Sequence, residues 1–175
     1  MSDFLVEAGR NPQMRKAISA LGLPLSLPQA LARPKGPWTE QPLQDTHVLV
    51  AAPNGALTET LAAALAPMGA SSWVIAYDDA SLTPFEGPGE AYGRPATGLD
   101  LEESIDVRPN ALIFDATGLT QVAELEAVHR FFRPRIRTLA RCGRVIVLTR
   151  PPAEAVSIEA GVVARSFGGF IRSAG

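Results

Sequence analysis

The stretch Ala111-Leu-Ile-Phe-Asp-Ala-Thr-Gly118, read with the later run Arg144-Val-Ile-Val-Leu-Thr149, decides the fold of this chain. An apolar run ends in a small-residue, glycine-containing turn, a helical pattern crosses back, and a second apolar run follows. Parallel strands need a crossover of this kind, so the pair reads as a βαβ unit. In open α/β sheets ligands sit outside the carboxyl ends of the strands, which directs attention to the turns.

Working outward, the same pattern repeats upstream. His47-Val-Leu-Val-Ala-Ala52 is a short apolar run of the kind buried on both faces of a parallel sheet. Pro53-Asn54-Gly55 makes the turn, Leu57, Leu61, Leu65 and Met68 recur at helical spacing, and Gly69 is placed as a carboxyl-terminal cap. Ser72–Tyr77 reads as a second strand. Residues 78–109 hold Pro84, Gly87, Pro88, Gly89, Gly93, Pro95 and Gly98, and read as a long irregular excursion. The helix between the two runs quoted first is expected over 121–141, with Val122, Leu125, Val128, Phe132, Ile136 and Leu139 inward and Pro134 kinking or splitting it. A last helix is expected over 154–172, with Val156, Val163, Phe167 and Phe170 as core. The expected architecture is an α/β three-layer sandwich, Rossmann-like or flavodoxin-like. Its four strands run in order 2-1-3-4, and it is truncated before a last strand.

Residues 1–45 differ from this domain, which spans 46–175. Phe4, Leu5 and Ala8 share a helical face, and Pro12 fits the start of a second helix holding Met14, Ile18 and Leu21. Pro24, Pro28, Pro34, Pro37 and Pro42 then exclude a regular element and give an extended arm. Its Leu23, Leu25, Leu27, Leu31 and Trp38 are expected to pack on the domain or on a second subunit.

Composition narrows the class. A chain of 175 residues with 46% apolar content suits one domain and an arm. Its apolar runs are too short to span a bilayer, and Met1-Ser-Asp-Phe-Leu-Val-Glu7 lacks the pattern of a secretory signal. The single Cys142 excludes an internal disulfide framework, and the expected compartment is the cytoplasm. A net charge of −2 argues against a general nucleic-acid binder. One local departure stands out: Arg130, Arg133, Arg135, Arg137, Arg141 and Arg144 fall within fifteen residues. They read either as a solvated helix face or as a dock for an acidic partner.

Candidate chemistry is sparse. A dinucleotide site needs glycines in the first βα turn, so that the backbone can approach the pyrophosphate. Here that turn reads Ala51-Ala-Pro-Asn-Gly-Ala-Leu-Thr58, in which Gly55 alone remains and Pro53 removes one N–H. A residual nucleotide crevice would use Asn54, Gly55, Asp115 and Gly118. Asp78 follows the second strand, where an acid can hold a ribose hydroxyl, and reads otherwise as a turn aspartate. Asp115 has no acid–base or nucleophilic partner, so no catalytic residue is expected. His47 and His129 lie on different elements without metal-ligand spacing, and His129 is expected beside Phe132. Cys142 reads as a structural cysteine at a helix end.

Leu112-Ile-Phe-Asp-Ala-Thr-Gly-Leu119, His129-Arg-Phe-Phe132, Arg141-Cys-Gly-Arg-Val-Ile-Val147 and Gly169-Phe-Ile-Arg-Ser173 together resemble one module. It is the amino-terminal domain of high-molecular-weight 3-oxoacyl-[acyl-carrier-protein] reductases, in the short-chain dehydrogenase/reductase superfamily. Ser2-Asp-Phe-Leu5 and Leu21-Gly-Leu-Pro24 are similar to that group as well. The resemblance implies a parent polypeptide that reduces 3-oxoacyl thioesters with NAD(P)H in fatty acid metabolism. Its active site would lie in a second, catalytic Rossmann domain. The amino-terminal module would be a degenerate copy that binds no cofactor itself and serves assembly or positioning of the catalytic domain. Aligned on the superfamily's Thr-Gly-x-x-x-Gly-x-Gly pattern, Ala52, Ala56 and Thr58 stand at the three glycines. Ala160 and Ala164 fall at the catalytic tyrosine and lysine, and Thr149 or Arg150 near the serine. The implied partners are the catalytic domain, further copies of the chain, and an acyl carrier protein met by Arg133, Arg135 and Arg137. The alternatives are a small stand-alone nucleotide-binding oxidoreductase or sensor, and a pure oligomerisation scaffold.

Overall fold

A computed structural model describes residues 11–20, 36–78 and 80–174. Two compact units divide the chain, Met1–Pro37 and Trp38–Gly175. In the first, helix α1 spans Pro12–Ala20, with Pro12 opening it as its fixed φ allows. The Asn11 side chain accepts from the Gln13 N–H at 2.9 Å, satisfying one of the amides that a helix start leaves unpaired. The helix expected around Phe4 and the extended arm over 21–35 lie outside the described residues.

The second unit is built on five parallel strands: β1 (His47–Ala51), β2 (Ser71–Ile75), β3 (Thr97–Leu99), β4 (Ala111–Asp115) and β5 (Arg144–Leu148). Their order is β3-β2-β1-β4-β5. Helices α2 (Thr58–Leu65) and α3 (Thr83–Ala91) cover one face, and α4 (Leu125–Arg135) and α5 (Ile158–Ala174) the other. The strand period of two sorts side chains between these layers. Val48, Val50, Val74 and Ile113 meet Ala62, Leu65 and Phe85 on the first face. Leu49, Ile75, Leu112 and Phe114 meet Val128, Phe131, Phe132, Val163 and Phe167 on the second. Phe114, Phe131, Phe132 and Phe170 form a chain of ring contacts with centroids 4.8–5.9 Å apart. Each such pair adds about 0.5–1.5 kcal/mol beyond area burial. The expected three-layer α/β architecture is therefore present.

The excursion expected over 78–109 is corrected: it holds α3 and the edge strand β3. Gly87, Pro88 and Gly89 make α3 a poor helix by propensity. Burial of Phe85 and a tight return decide it instead. A Cβ at Gly89 would lie 2.7 Å from the Arg94 carbonyl oxygen, and the Arg94 N–H donates back to Gly89 O at 2.8 Å. With this strand the expected 2-1-3-4 becomes the Rossmann order 3-2-1-4-5 rather than the flavodoxin-like one.

Two helix boundaries also move. The single helix expected over 121–141 is a 3₁₀ turn at Val122–Glu124, α4, and a second 3₁₀ turn at Ile136–Thr138. Pro134 lies in the last turn of α4, so the expected helix is split there, and Val122 is half-exposed. The α5 helix begins at Ile158, after a 3₁₀ turn at Pro152–Glu154, which leaves Val156 exposed instead of in the core. Gly69 does cap α2, at φ 88°. Trp38 is 86% exposed, whereas Leu43 packs on the domain and its N–H donates to Met68 O at 2.9 Å. Among the described residues no strand pairs with the outer edge of β5.

Candidate functional site

Strand order reverses between β1 and β4, and the crevice at their carboxyl ends is where α/β sheets of this type bind ligands. The structure brings Asn54, Gly55, Asp115 and Gly118 together at this point, but they face one another. Asp115 is 0% exposed. Its carboxylate accepts from the Leu57 N–H at 2.8 Å, the Thr117 N–H at 3.0 Å and the Thr117 hydroxyl at 2.6 Å. The Thr117 oxygen in turn accepts from the Ala56 N–H at 2.8 Å. The Gly55 N–H donates to Ala52 O at 3.2 Å. Three successive amides of the first βα turn are therefore engaged within the protein, and Pro53 has none to offer.

The approach is close enough to require both glycines. A Cβ at Gly55 would stand 2.3 Å from Asp115 Oδ2, and one at Gly118 would stand 2.0 Å from the Asn54 carbonyl oxygen. Asn54 adopts φ 53°, a left-handed conformation that asparagine tolerates in turns. The result is a latch joining the β1 and β4 turns.

Two of the cavities that flank the latch bear on the candidate residues. One of about 570 Å³ opens beside α2 and the end of β2, lined by Pro53–Ala56, Glu59, Tyr77 and Asp78. Its ionisable lining is acidic. Asp78 is exposed and accepts from the Ser81 hydroxyl at 2.7 Å, the arrangement of a turn aspartate. Tyr77 carries a hydroxyl that is buried and without a hydrogen-bond partner. Burial pushes its pKa up to about 12, against the opposing pull of Arg135 and Arg130. Sequence reasoning passed over Tyr77; its only signal was an aromatic residue just past a strand's carboxyl end.

The other cavity, about 170 Å³, lies between the β4 turn and α5. Thr149, Arg150, Ala160 and Ala164 all line it, with Thr117–Thr120 opposite. The positions that the superfamily pattern assigns to a serine, a tyrosine and a lysine thus converge on one hollow. Ala160 and Ala164 stand at two of them, and Thr149 or Arg150 at the third. Arg150 is tied down, its Nε–H donating to Thr117 O at 2.8 Å.

The remaining candidates lie elsewhere. His47 Nδ1 accepts from the Trp73 indole N–H at 3.3 Å, and His129 is exposed on α4. Among the described residues no cluster of three metal-ligating side chains exists. Cys142 sits at φ 62°, and its carbonyl accepts from the Arg144 guanidinium. Arg135 is only 6% exposed. It donates to the carbonyls of Leu101 at 2.6 Å, Glu103 at 2.9 Å and Phe131 at 3.3 Å, and its guanidinium lies 5.6 Å from the Phe131 ring centroid. Burial lowers its pKa. It pins the segment before β4 and is not a surface group, contrary to its expected place in a carrier-protein dock.

The fold is that of the short-chain dehydrogenases. A short-chain dehydrogenase from Escherichia coli CFT073 superposes with a TM-score of 0.58 at 13% identity, over 77% of this chain and 75% of the other. One from Shigella flexneri 2a, solved with NADP, gives 0.59 at 13% identity over 75% and 71%. One from Pseudomonas syringae gives 0.58 at 15% identity over 82% and 73%. No family model matches the sequence, and no curated protein matches it. Among the described residues no helix is long and apolar enough to cross a membrane.

Proposed function

We propose that this chain is a non-catalytic Rossmann-like module of a 3-oxoacyl-[acyl-carrier-protein] reductase of the short-chain dehydrogenase type. Its role is to assemble or position the catalytic domain, which uses NAD(P)H. The observation that carries the reading is the latch. A pyrophosphate is held by unpaired turn amides at a helix start. Here the amides of Gly55, Ala56 and Leu57 are committed to Ala52, Thr117 and Asp115. Glu59 adds a negative charge to the first turn of α2, which repels an anion at that end.

The second cavity supports the same reading. Ala160 offers no acid to protonate a carbonyl oxygen, and Ala164 no cation to lower such an acid's pKa. The reading seats the catalytic domain, or a second copy, against apolar groups left in solvent around β5 and α5. These are Ile146, Val156, Ile158 and Val162.

Calorimetric titration of the chain with NADH and NADPH, with 3-oxoacyl thioester turnover assayed alongside, tests this. The expected result is no binding and no turnover. A Kd below about 10 µM, near −7 kcal/mol, would overturn it. One feature favours a second reading, a nucleotide sensor or small oxidoreductase: the 570 Å³ cavity with Asp78 at the end of β2. The same titration decides between the two.

A further inference from the structure

From Ala127 to Ala153 the sequence contains seven arginines and no acidic residue, in a chain whose net charge is −2. The fold sorts these arginines. Arg135 is buried, Arg130 is paired with Glu102 at 2.6 Å, and Arg150 holds the β4 turn. Arg133, Arg137, Arg141 and Arg144 are exposed. The Arg130–Glu102 pair is the only ion pair among the described residues, so none of these four is ion-paired there, although Arg133 lines a hollow with Glu102 and Glu126.

The tertiary structure gathers them and adds one more. Because α4 crosses back between parallel strands, its carboxyl end lies at the amino-terminal edge of the sheet. The turn that follows is held there, with the Ala140 N–H donating to Pro109 O at 2.8 Å and the Arg144 N–H to Asn110 O at 2.9 Å. This sets Arg137, Arg141 and Arg144 beside the exposed Arg108, on the rim opposite both cavities. The segment leading from β3 to Arg108 carries Asp100, Glu102, Glu103 and Asp106, of which Glu102 is taken up by Arg130. Complementing the negative end of α4 accounts for an arginine in its last turn, but not for those beyond the helix.

We infer that this rim is a docking surface for an acidic protein, one that presents carboxylates to Arg133, Arg137, Arg141 and their neighbours. Guanidinium groups match carboxylates bidentately, and charge complementarity of this kind governs partner choice and encounter rate. A polynucleotide is disfavoured, since such binders carry a strongly basic face overall and this chain has a net charge of −2. Taking the acidic protein to be an acyl carrier protein rests on the function proposed above.

The test is calorimetry of the full chain against a purified acyl carrier protein, at low ionic strength and again in about 0.3 M salt. R133Q/R137Q/R141Q should weaken binding at least about tenfold, and salt should weaken the parent chain similarly. R165Q/R172Q on α5, which removes exposed arginines elsewhere, should leave binding unchanged. No binding by the parent chain, or equal losses from the two variants, would overturn the inference. Tighter binding of duplex DNA or anionic vesicles than of the carrier protein would do the same. Cofactor titration reports separately on the proposed function. A chain that binds neither carrier protein nor NADPH loses the dock and keeps the module.

Discussion

Removing the Asp115 carboxylate should show how much the latch between the β1 and β4 turns contributes. Asp115→Ala deletes an acceptor that three donors share, at 2.8, 3.0 and 2.6 Å, in a site with no solvent exposure. Hydrogen bonds to a charged group contribute about 1.5–3 kcal/mol each, and the Leu57 and Thr117 amides would be left buried and unpaired. The Thr117 hydroxyl can turn elsewhere, so about 4 kcal/mol is the expected loss rather than the full sum. That is a large part of the about 5–15 kcal/mol typical of a domain. In urea, with a slope near 2 kcal/mol/M, the midpoint should fall by about 2 M at constant slope.

The partner substitution makes the reasoning sharper. Gly55→Ala puts a methyl 2.3 Å from Asp115 Oδ2 and 2.6 Å from its Cγ, an overlap expected to cost about 3 kcal/mol. With Asp115→Ala already in place those two atoms are gone, and only the Cβ at 3.0 Å remains. The second substitution should then cost under about 1 kcal/mol, a coupling near 2 kcal/mol. Additivity within about 0.5 kcal/mol, or a loss below about 1 kcal/mol for Asp115→Ala alone, would refute the latch.

Tyr77→Phe should stabilise the fold by about 1 kcal/mol, because it removes a buried hydroxyl that has no partner; a clear loss of stability in urea would show that the hydroxyl is bonded. The same residue has a pH signature. With the folded pKa raised to about 12 from 10.0, the folded state holds the proton longer, so its contribution is intact below pH 10 and lost between pH 10 and 12. Thermal melts across that window should fall more steeply for the parent chain than for Tyr77→Phe, and parallel curves would contradict the assignment. Arg135→Leu should loosen the segment before β4, seen as faster amide exchange over 101–109. Arg135→Lys should rescue little, because a single ammonium cannot serve the Leu101 and Glu103 carbonyls and the Phe131 carbonyl together, which two guanidinium nitrogens do here. Full protection in Arg135→Leu would show that those contacts are incidental.

The sequence by itself determined the sheet's central strands and the layers. Val48–Ala51 and Leu112–Phe114 are runs that only a doubly covered parallel strand can bury, and Gly69 marks a helix end that needs a positive φ. The poor first turn was legible too, since Pro53 visibly lacks an amide. Other features were settled only by tertiary structure, because they depend on groups far apart in the chain. The edge strand β3 and helix α3 exist through burial of Phe85 and Leu99, against a local composition of glycine and proline. Arg135 and Arg137 look alike in sequence, yet the end of α4 turns one onto backbone carbonyls and leaves the other in water. Asp115 and Leu57 are 58 residues apart, so no local pattern could reveal that the donors of the first turn are already engaged. Periodicity reports which face of an element is buried; which polar atoms meet across the sheet is fixed only when the strands are in register.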